Sequence, residues 1–213
     1  MKLYGYFRSS AAYRVRIALN LKGIKVEQIG VHLVKEGGRQ HEPAFLARNP
    51  QGLVPALELD DGTILTQSLA IIEYLDSVHS EPRLIPADPV LAAKARAVAL
   101  AIACDIHPLN NLRVLNYLKG RLGRAQGEVD GWYRHWILQG GLEAVETMID
   151  GGSFCFGDAP TIADLCLIPQ VFNARRYKID LSHLPKIEAV DRHCKALPAF
   201  LAAHPLQQPD AEV

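Results

Sequence analysis

The fold is decided by residues 2–33, KLYGYFRSSAAYRVRIALNLKGIKVEQIGVHL. Residues 2–7 alternate and carry aromatic side chains, which favours a strand, and Arg8-Ser9-Ser10 follows as a polar break. Residues 11–21 are rich in helix formers, and residues 25–33 are typical of a second strand. A strand, a helix and a strand of this length form a βαβ unit, which places the two strands parallel in one sheet.

The segment that follows predicts a short helix, a hairpin and a closing helix. The helix lies near 43–48, and strands over 54–59 and 63–66 are joined by an Asp-Asp-Gly turn. Residues 68–75 have the pattern of a closing helix. The order βαβ(α)ββα is that of a thioredoxin-like α/β domain, which we expect over residues 1–80.

The remainder of the chain has a helical pattern. Residues 80–86, SEPRLIP, form a linker whose prolines and charges mark a domain boundary. Thr161 and Asp164 stand three apart before an apolar run, which predicts a capping box. We expect an all-helical second domain over residues 88–213, with periodic stretches near 88–119, 129–150, 161–174 and 185–203.

Composition excludes several classes of function. Lysine plus arginine (23) equals aspartate plus glutamate (23), so no global field attracts nucleic acid or an anionic membrane. No stretch approaches the roughly 20 apolar residues that a membrane span needs, and the N-terminus has no signal-peptide pattern. We therefore expect a cytoplasmic protein whose partners are small molecules or another protein.

The four cysteines are widely spaced and form no CxxC pair, which argues against disulfides and zinc. We expect buried, reduced thiols at Cys104, Cys155, Cys166 and Cys194. Cys104 and His107 share a helical face, but no second pair completes a metal shell. No metal site is predicted.

The reactive corner of a thioredoxin-like domain lies where the first strand meets the first helix, because helix amides and the helix dipole favour an anion there. A redox protein has CxxC at this corner, whereas this chain has Ser9 and Ser10. The serines therefore stabilise the thiolate of another molecule, or they serve only as an ordinary N-cap. Val54-Pro55 suits backbone pairing with a peptide, and Gln67-Ser68 suits a carboxylate at a helix start. Together these elements predict binding of a short acidic peptide that carries a thiol, as glutathione does.

Five motifs carry a family resemblance along essentially the whole chain. They are residues 9–19 (SSAAYRVRIAL), 49–55 (NPQGLVP), 66–75 (TQSLAIIEYL), 106–112 (IHPLNNL) and 173–181 (NARRYKIDL). These motifs resemble the zeta-class glutathione transferases, the family that contains maleylacetoacetate isomerase and maleylpyruvate isomerase. The resemblance implies glutathione as cofactor and a homodimer.

The resemblance also implies a set of site residues. Ser9 and Ser10 would face the sulfur, and Gln67 with Ser68 would hold the γ-glutamyl end. The full glutathione-binding set is Ser9, Ser10, Ala11, Gln40, Val54, Pro55, Gln67, Ser68, His107 and Asn111. The chain departs from the family at three positions: Ala11 stands where a cysteine is usual, His107 where glutamine is common, and Arg113, at the substrate end, where a small polar residue is common.

The implied chemistry is addition of a glutathione thiolate to a cis-enoic diketo acid, rotation about the former double bond, and elimination to the trans isomer. Arg8 and Arg176 are the first choices for the positive charge this needs, because guanidinium suits carboxylate. Arg113 is a weaker choice, and it favours maleylpyruvate over maleylacetoacetate. For Arg14, Arg16 and Arg175 we instead expect solvated or interdomain ion pairs.

Two other functions stay open at this level. A conventional transferase would conjugate glutathione to apolar electrophiles and would lack convergent arginines. A transferase-like interaction module would be expected to lose the serine corner and the Gln67-Ser68 pair, both of which this chain retains.

Overall fold

The structure, a computed structural model, describes residues 1–212 and divides into two compact units. The first unit comprises residues 1–85 and the C-terminal segment from Lys195, and the second comprises Pro86–Cys194. Among the described residues, no helix is long and apolar enough to cross a membrane.

The first unit is built on a four-stranded mixed sheet of order β2-β1-β3-β4. Strand β1 is parallel to β2, antiparallel β3 lies on its other side, and β4 pairs antiparallel with β3. The strands are β1 (Lys2–Gly5), β2 (Glu27–Gly30), β3 (Ala56–Glu58) and β4 (Ile64–Thr66). The predicted βαβ unit and hairpin are therefore confirmed, with shorter strands than the sequence pattern suggested.

Three helices follow these strands in the predicted order. They are α1 (Ser10–Leu21), α2 (Pro43–Leu46) and α3 (Ser68–Val78). Leu3 of β1, Leu57 of β3 and Leu75 of α3 are buried in the core of the unit, as are Ile71 and Ile72. Burial of these apolar side chains is the main force that holds the helices on the sheet. The unit has the thioredoxin-like arrangement that the sequence predicts.

The second unit contains only helical elements. Its α-helices are α4 (Pro89–Leu100), α5 (Leu112–Asn116), α6 (Gln126–Ile137), α7 (Glu143–Met148), α8 (Ile162–Arg176) and α9 (Pro185–Cys194). At the start of α8, the buried Asp164 carboxylate accepts hydrogen bonds from the amides of Thr161 (2.8 Å) and Cys155 (2.7 Å). The predicted capping box is thus present.

The predicted long helical stretches are interrupted. After α4 the chain continues as a π-helical segment, Ala101–Ile106, and then as a 3₁₀ turn, His107–Asn110. Pro108 lies in that turn, where its missing N–H and fixed φ oppose a regular helix. Between α6 and α7, Gly140 adopts a positive φ of 68° and kinks the chain.

The C-terminal segment lies in a different unit from the one predicted. The sequence pattern assigned all of 88–213 to the helical domain, whereas the segment from Lys195 belongs to the first unit. Helix α10 (Pro198–Ala203) belongs to the first unit and packs on α1. Arg16 Nε donates to the Ala203 carbonyl at 3.1 Å, and Asn20 Nδ2 donates to the Ala199 carbonyl at 2.9 Å. The sequence pattern identified the helix but not the surface it covers. Val213 lies outside the described residues.

Candidate active site

Ser9 and Ser10 stand where β1 turns into α1. The turn is closed by a hydrogen bond from the Ser9 amide to the Tyr6 carbonyl (2.9 Å). Ser9 is the N-cap of α1, and its Oγ accepts from the Ala12 amide at 3.2 Å. A hydroxyl that accepts one bond still has its proton to donate, so Ser9 serves as the N-cap and keeps a donor for an anion. Ser10, at the first helical position, is buried.

The turn that presents these serines is held from two sides. The buried guanidinium of Arg16 donates to the carbonyls of Phe7 (3.0 Å) and Tyr6 (3.4 Å). From the C-terminal segment, the Asp210 carboxylate accepts a hydrogen bond from the Phe7 amide at 2.9 Å. The serine corner is therefore a fixed structure, since both backbone groups of Phe7 are engaged.

Arg8 lies on the surface beside the serines. Its Nη2 donates to the Tyr6 hydroxyl at 3.1 Å, and its guanidinium carbon lies 4.8 Å from the centroid of the Phe7 ring. Among residues 1–212 it forms no ion pair with a carboxylate. The aromatic contacts orient the guanidinium while leaving its charge available to a ligand.

Gln67 and Ser68 lie where β4 ends and α3 begins. Gln67 has a positive φ of 69° and is exposed, and its Nε2 donates to Gln51 Oε1 at 2.7 Å. Within the described part of the chain, no side chain caps the start of α3, so its first amides are available to an anion. Ser68 is buried, and its Oγ accepts from Arg14 Nη1 at 3.2 Å.

The remaining predicted residues of the first unit lie in the loops around the sheet. Val54 and Pro55 are buried, are joined by a cis peptide bond, and directly precede β3. Ala11, which is half-buried, follows the serines in α1. Gln40 is buried, and its Nε2 donates to the Leu33 carbonyl at 3.2 Å. Its amide thus faces its own loop.

In the second unit, Arg176 is the last residue of α8 and is exposed. Its guanidinium carbon lies 5.3 Å from the ring centroid of Tyr177, whose ring stacks on that of Tyr133 at 3.6 Å. Tyr133 is buried, and burial raises its pKa to about 12, against the opposing charge of Arg176. The phenol is therefore neutral near pH 7 and lies beside the Arg176 guanidinium.

The neighbouring Arg175 has a different environment. Its Nη2 contacts Glu188 Oε1 and Asp191 Oδ2, each at 2.9 Å. Arg176 has no carboxylate partner among residues 1–212. Of the two adjacent arginines, only Arg176 is available to bind a carboxylate from a ligand.

His107, Asn111 and Arg113 lie close together in sequence around the 3₁₀ turn. His107 begins the turn and is half-buried. Asn111 caps α5, with its Oδ1 accepting from the Arg113 amide at 3.1 Å, and the Arg113 side chain is exposed. Trp132 Nε1 donates to the Leu109 carbonyl at 2.8 Å and fixes the turn to α6.

Several expectations about single residues were wrong. Arg14 and Arg16 are buried, with 2% and 4% exposure, so neither forms a solvated ion pair. Cys104 is exposed, whereas Cys155, Cys166 and Cys194 are buried and outside any disulfide, as expected. Within residues 1–212, no group of histidine, cysteine or acidic residues is arranged to hold a metal ion.

Three residues that contact Ser68, Arg176 or the serine turn were missed at the sequence level, namely Arg14, Tyr133 and Asp210. Arg14 had one usable signal, because it stands four residues after Ser10 and so on the same face of α1. Tyr133 and Asp210 had none, since their contacts are with residues far away in sequence.

Comparisons with known proteins agree with this architecture. Models of the glutathione S-transferase N-terminal and C-terminal domains match residues 3–83 and 137–205. Maleylacetoacetate isomerase of Pseudomonas aeruginosa is 48% identical over 99% of this chain and 98% of its own length.

Two solved structures are similar over the whole chain. The holo form of maleyl pyruvate isomerase, described as a bacterial zeta-class glutathione S-transferase, is 45% identical with a TM-score of 0.94, covering 100% of both chains. Maleylacetoacetate isomerase of Anaeromyxobacter dehalogenans, with dicarboxyethyl glutathione and citrate in its active site, is 43% identical with a TM-score of 0.87. That comparison covers 100% of this chain and 97% of the other.

Proposed function

Because the chain belongs to the zeta class of the glutathione S-transferase family, we propose that it is a glutathione-dependent cis–trans isomerase of a small unsaturated diketo diacid. The observation that carries the proposal is the serine pair at the start of α1, in the place where a redox protein has its own thiols. A corner with hydroxyls and helix amides suits a sulfur anion that a ligand brings.

The first unit has the groups that glutathione requires. Ser9 and Ser10 lie at the N-terminus of α1, where the dipole and hydroxyl donors lower the pKa of a nearby thiol. Gln67 and Ser68 lie at the uncapped start of α3, which suits the carboxylate of the γ-glutamyl end. Val54 precedes a strand and suits pairing with the peptide backbone.

Five further residues complete the proposed glutathione contacts by family position. They are Ala11, Gln40, Pro55, His107 and Asn111. Of these five, Gln40 already uses its amide nitrogen within the protein, where Nε2 donates to the Leu33 carbonyl.

Bound glutathione supplies a thiol whose reversible addition turns the double bond of the substrate into a single bond that rotates, and it is regenerated unchanged when the trans double bond forms. Ser9 and Ser10 hold the sulfur in its anionic form. Arg8 and Arg176 bind the substrate carboxylates and stabilise the negative charge that develops on the substrate oxygen. The mechanism requires no protein thiol at position 11, because that residue is alanine.

The name of one relative's ligand supports this chemistry. A dicarboxyethyl group on glutathione is the product expected when a thiol adds across the double bond of a butenedioic acid. The structure of the A. dehalogenans protein contains that compound in its active site. The same addition is the first step of the isomerisation proposed for this chain.

We take maleylpyruvate as the substrate and fumarylpyruvate as the product, in the catabolism of aromatic compounds. The exposed Arg113 adds a cation that suits a compact oxalyl end. The alternative is maleylacetoacetate, an intermediate of tyrosine and phenylalanine catabolism, and the name of the P. aeruginosa relative favours it. The two substrates differ only beyond the shared cis-enoic acid, so both fit the same mechanism.

Three further features belong to the proposal. We place the enzyme in the cytoplasm and expect a homodimer, which light scattering after gel filtration would measure. We also assign glutathione to the thioredoxin-like domain and the substrate to the helical domain.

The decisive experiment incubates the purified protein with maleylpyruvate and with maleylacetoacetate, each with and without glutathione, and follows the trans products. We expect glutathione-dependent isomerisation with a higher kcat/KM for maleylpyruvate and no net loss of glutathione. Isomerisation that continues without glutathione would refute the cofactor assignment. A higher kcat/KM for maleylacetoacetate would assign the alternative substrate.

A further inference from the structure

Arg14 is a buried charge in the second turn of α1. Its side chain is 2% exposed, and its Nη1 donates to Ser68 Oγ at 3.2 Å. The Nε and Nη2 atoms are also buried, and neither has a hydrogen-bond partner among the described residues. Burial of an unpaired guanidinium is unfavourable for folding, because the charge loses its hydration without gaining a counter-ion.

Arg16, two residues further along the same helix, shows what a structural arginine looks like here. It is equally buried, but its three nitrogens donate to backbone carbonyls of Tyr6, Phe7 and Ala203. Those bonds tie the serine turn and α10 to α1. Arg14 makes no comparable set of bonds, so its burial is not explained by folding alone.

The contact with Ser68 fixes the direction of a hydroxyl. A guanidinium only donates hydrogen bonds, so Ser68 Oγ must be the acceptor in this pair. The hydroxyl proton of Ser68 is then available to another acceptor. Ser68 is the first residue of α3, an 11-residue helix whose start is not capped by a side chain. The hydroxyl proton, the first amides of α3 and the charge of Arg14 therefore meet at one place, and all of them favour an anion.

We propose that Arg14 is a positioning residue for glutathione: it orients the Ser68 hydroxyl toward the α-carboxylate of the γ-glutamyl group and provides buried positive charge behind that hydroxyl. This inference rests on the proposed function, since it assumes that glutathione binds at the start of α3. The carboxylate supplies the negative charge that Arg14 lacks among residues 1–212. The thiol end of the peptide is unaffected, because Ser9 and Ser10 belong to a different helix start.

The test measures binding, independently of catalysis. Isothermal titration calorimetry compares glutathione with 4-aminobutanoyl-cysteinylglycine, which retains the amino group and the thiol but lacks the α-carboxylate. For Arg14→Met we expect glutathione affinity to fall about tenfold, equivalent to about 1.4 kcal/mol, and affinity for the analogue to change less than about twofold. Arg14→Lys keeps the positive charge and one donor nitrogen, so it should lose less affinity for glutathione than Arg14→Met.

Arg16→Met is the matched control. It removes a buried arginine of the same helix, and we expect it to weaken both peptides by similar factors. Equal losses for the two peptides in Arg14→Met would overturn the proposal. Wild-type protein that binds no glutathione would instead refute the proposed function, so the two failures are distinguishable.

Thermal unfolding of the ligand-free protein gives a second, separate readout. A merely structural arginine should lower Tm when it is removed, as we expect for Arg16→Met. Arg14→Met removes an unpaired buried charge, so we expect its Tm to equal or exceed that of the wild type. A Tm lowered as much as in Arg16→Met would contradict the assignment. If Arg14→Met does not fold, Arg14→Lys is used for the comparison of the two peptides.

Discussion

The adjacent arginines at the end of α8 allow a sharp test of substrate binding. Arg176→Ala removes a guanidinium that has no carboxylate partner within residues 1–212 and rests against the Tyr177 ring. Arg175→Ala removes one that already binds Glu188 and Asp191. The two substitutions delete the same chemical group one residue apart, so any difference between them reports on the environment of each side chain.

The size of the effect follows from the contacts. A hydrogen bond to a charged group contributes about 1.5–3 kcal/mol, and the exposure of Arg176 argues for about 2–3 kcal/mol in total even for a bidentate pair. That predicts a fall in kcat/KM for the diacid of about 30- to 150-fold. Because the ion pairs of Arg175 are partly exposed, Arg175→Ala should lower the unfolding free energy by only about 1 kcal/mol and leave kcat/KM nearly unchanged.

The assay is steady-state isomerisation at varied diacid and fixed glutathione, repeated at varied glutathione and fixed diacid. We expect Arg176→Ala to raise KM for the diacid while KM for glutathione stays close to the wild-type value. Arg176→Lys should recover part of the loss, because the ammonium keeps the positive charge but lacks the bidentate geometry of guanidinium. Equal effects on the two KM values, or equal effects of Arg175→Ala and Arg176→Ala, would refute the reasoning.

Three further predictions follow from buried and half-buried groups. Asp164→Ala deprives three hydrogen-bond donors of their acceptor, so the free energy of unfolding should fall by about 3–6 kcal/mol. Urea denaturation measures this loss, and an unchanged midpoint would contradict the capping role. Tyr133→Phe removes the phenol oxygen beside Arg176 while keeping the ring stack, and should raise KM for the diacid about fivefold; Tyr117→Phe, at an exposed tyrosine, is the control. Burial lowers the pKa of His204 below 6.5, and its Nδ1 accepts from the Leu206 amide, which needs the unprotonated ring. This contribution is present above pH 6.5 and is lost as pH falls toward the folded-state pKa, so stability should decline more steeply with acid in the wild type than in His204→Asn.

Local patterns predicted the elements that depend on local chemistry. The serines at 9 and 10 signalled the start of α1, and the Asp-Asp-Gly turn signalled the β3–β4 hairpin, because caps and tight turns are determined by adjacent residues. The capping box of α8 was predictable for the same reason. The breaks after α4 were missed even though Pro108 is visible in the sequence, because apolar periodicity continues through π-helical and 3₁₀ segments.

Contacts between distant residues account for what the sequence did not reveal. Arg14 and Arg16 look like surface residues because arginine is seldom buried, and nothing in residues 10–21 indicates that their partners are Ser68 and Ala203. The C-terminal segment has an ordinary amphipathic pattern, which cannot specify which unit it covers. The difference between Arg175 and Arg176 likewise depends on residues that are distant in sequence. Arg175 pairs with Glu188 of α9, 13 residues away, whereas Arg176 lies beside Tyr133 of α6. A family motif can therefore mark an arginine pair as important, but only the three-dimensional contacts distinguish the arginine held by the protein from the one available to a ligand.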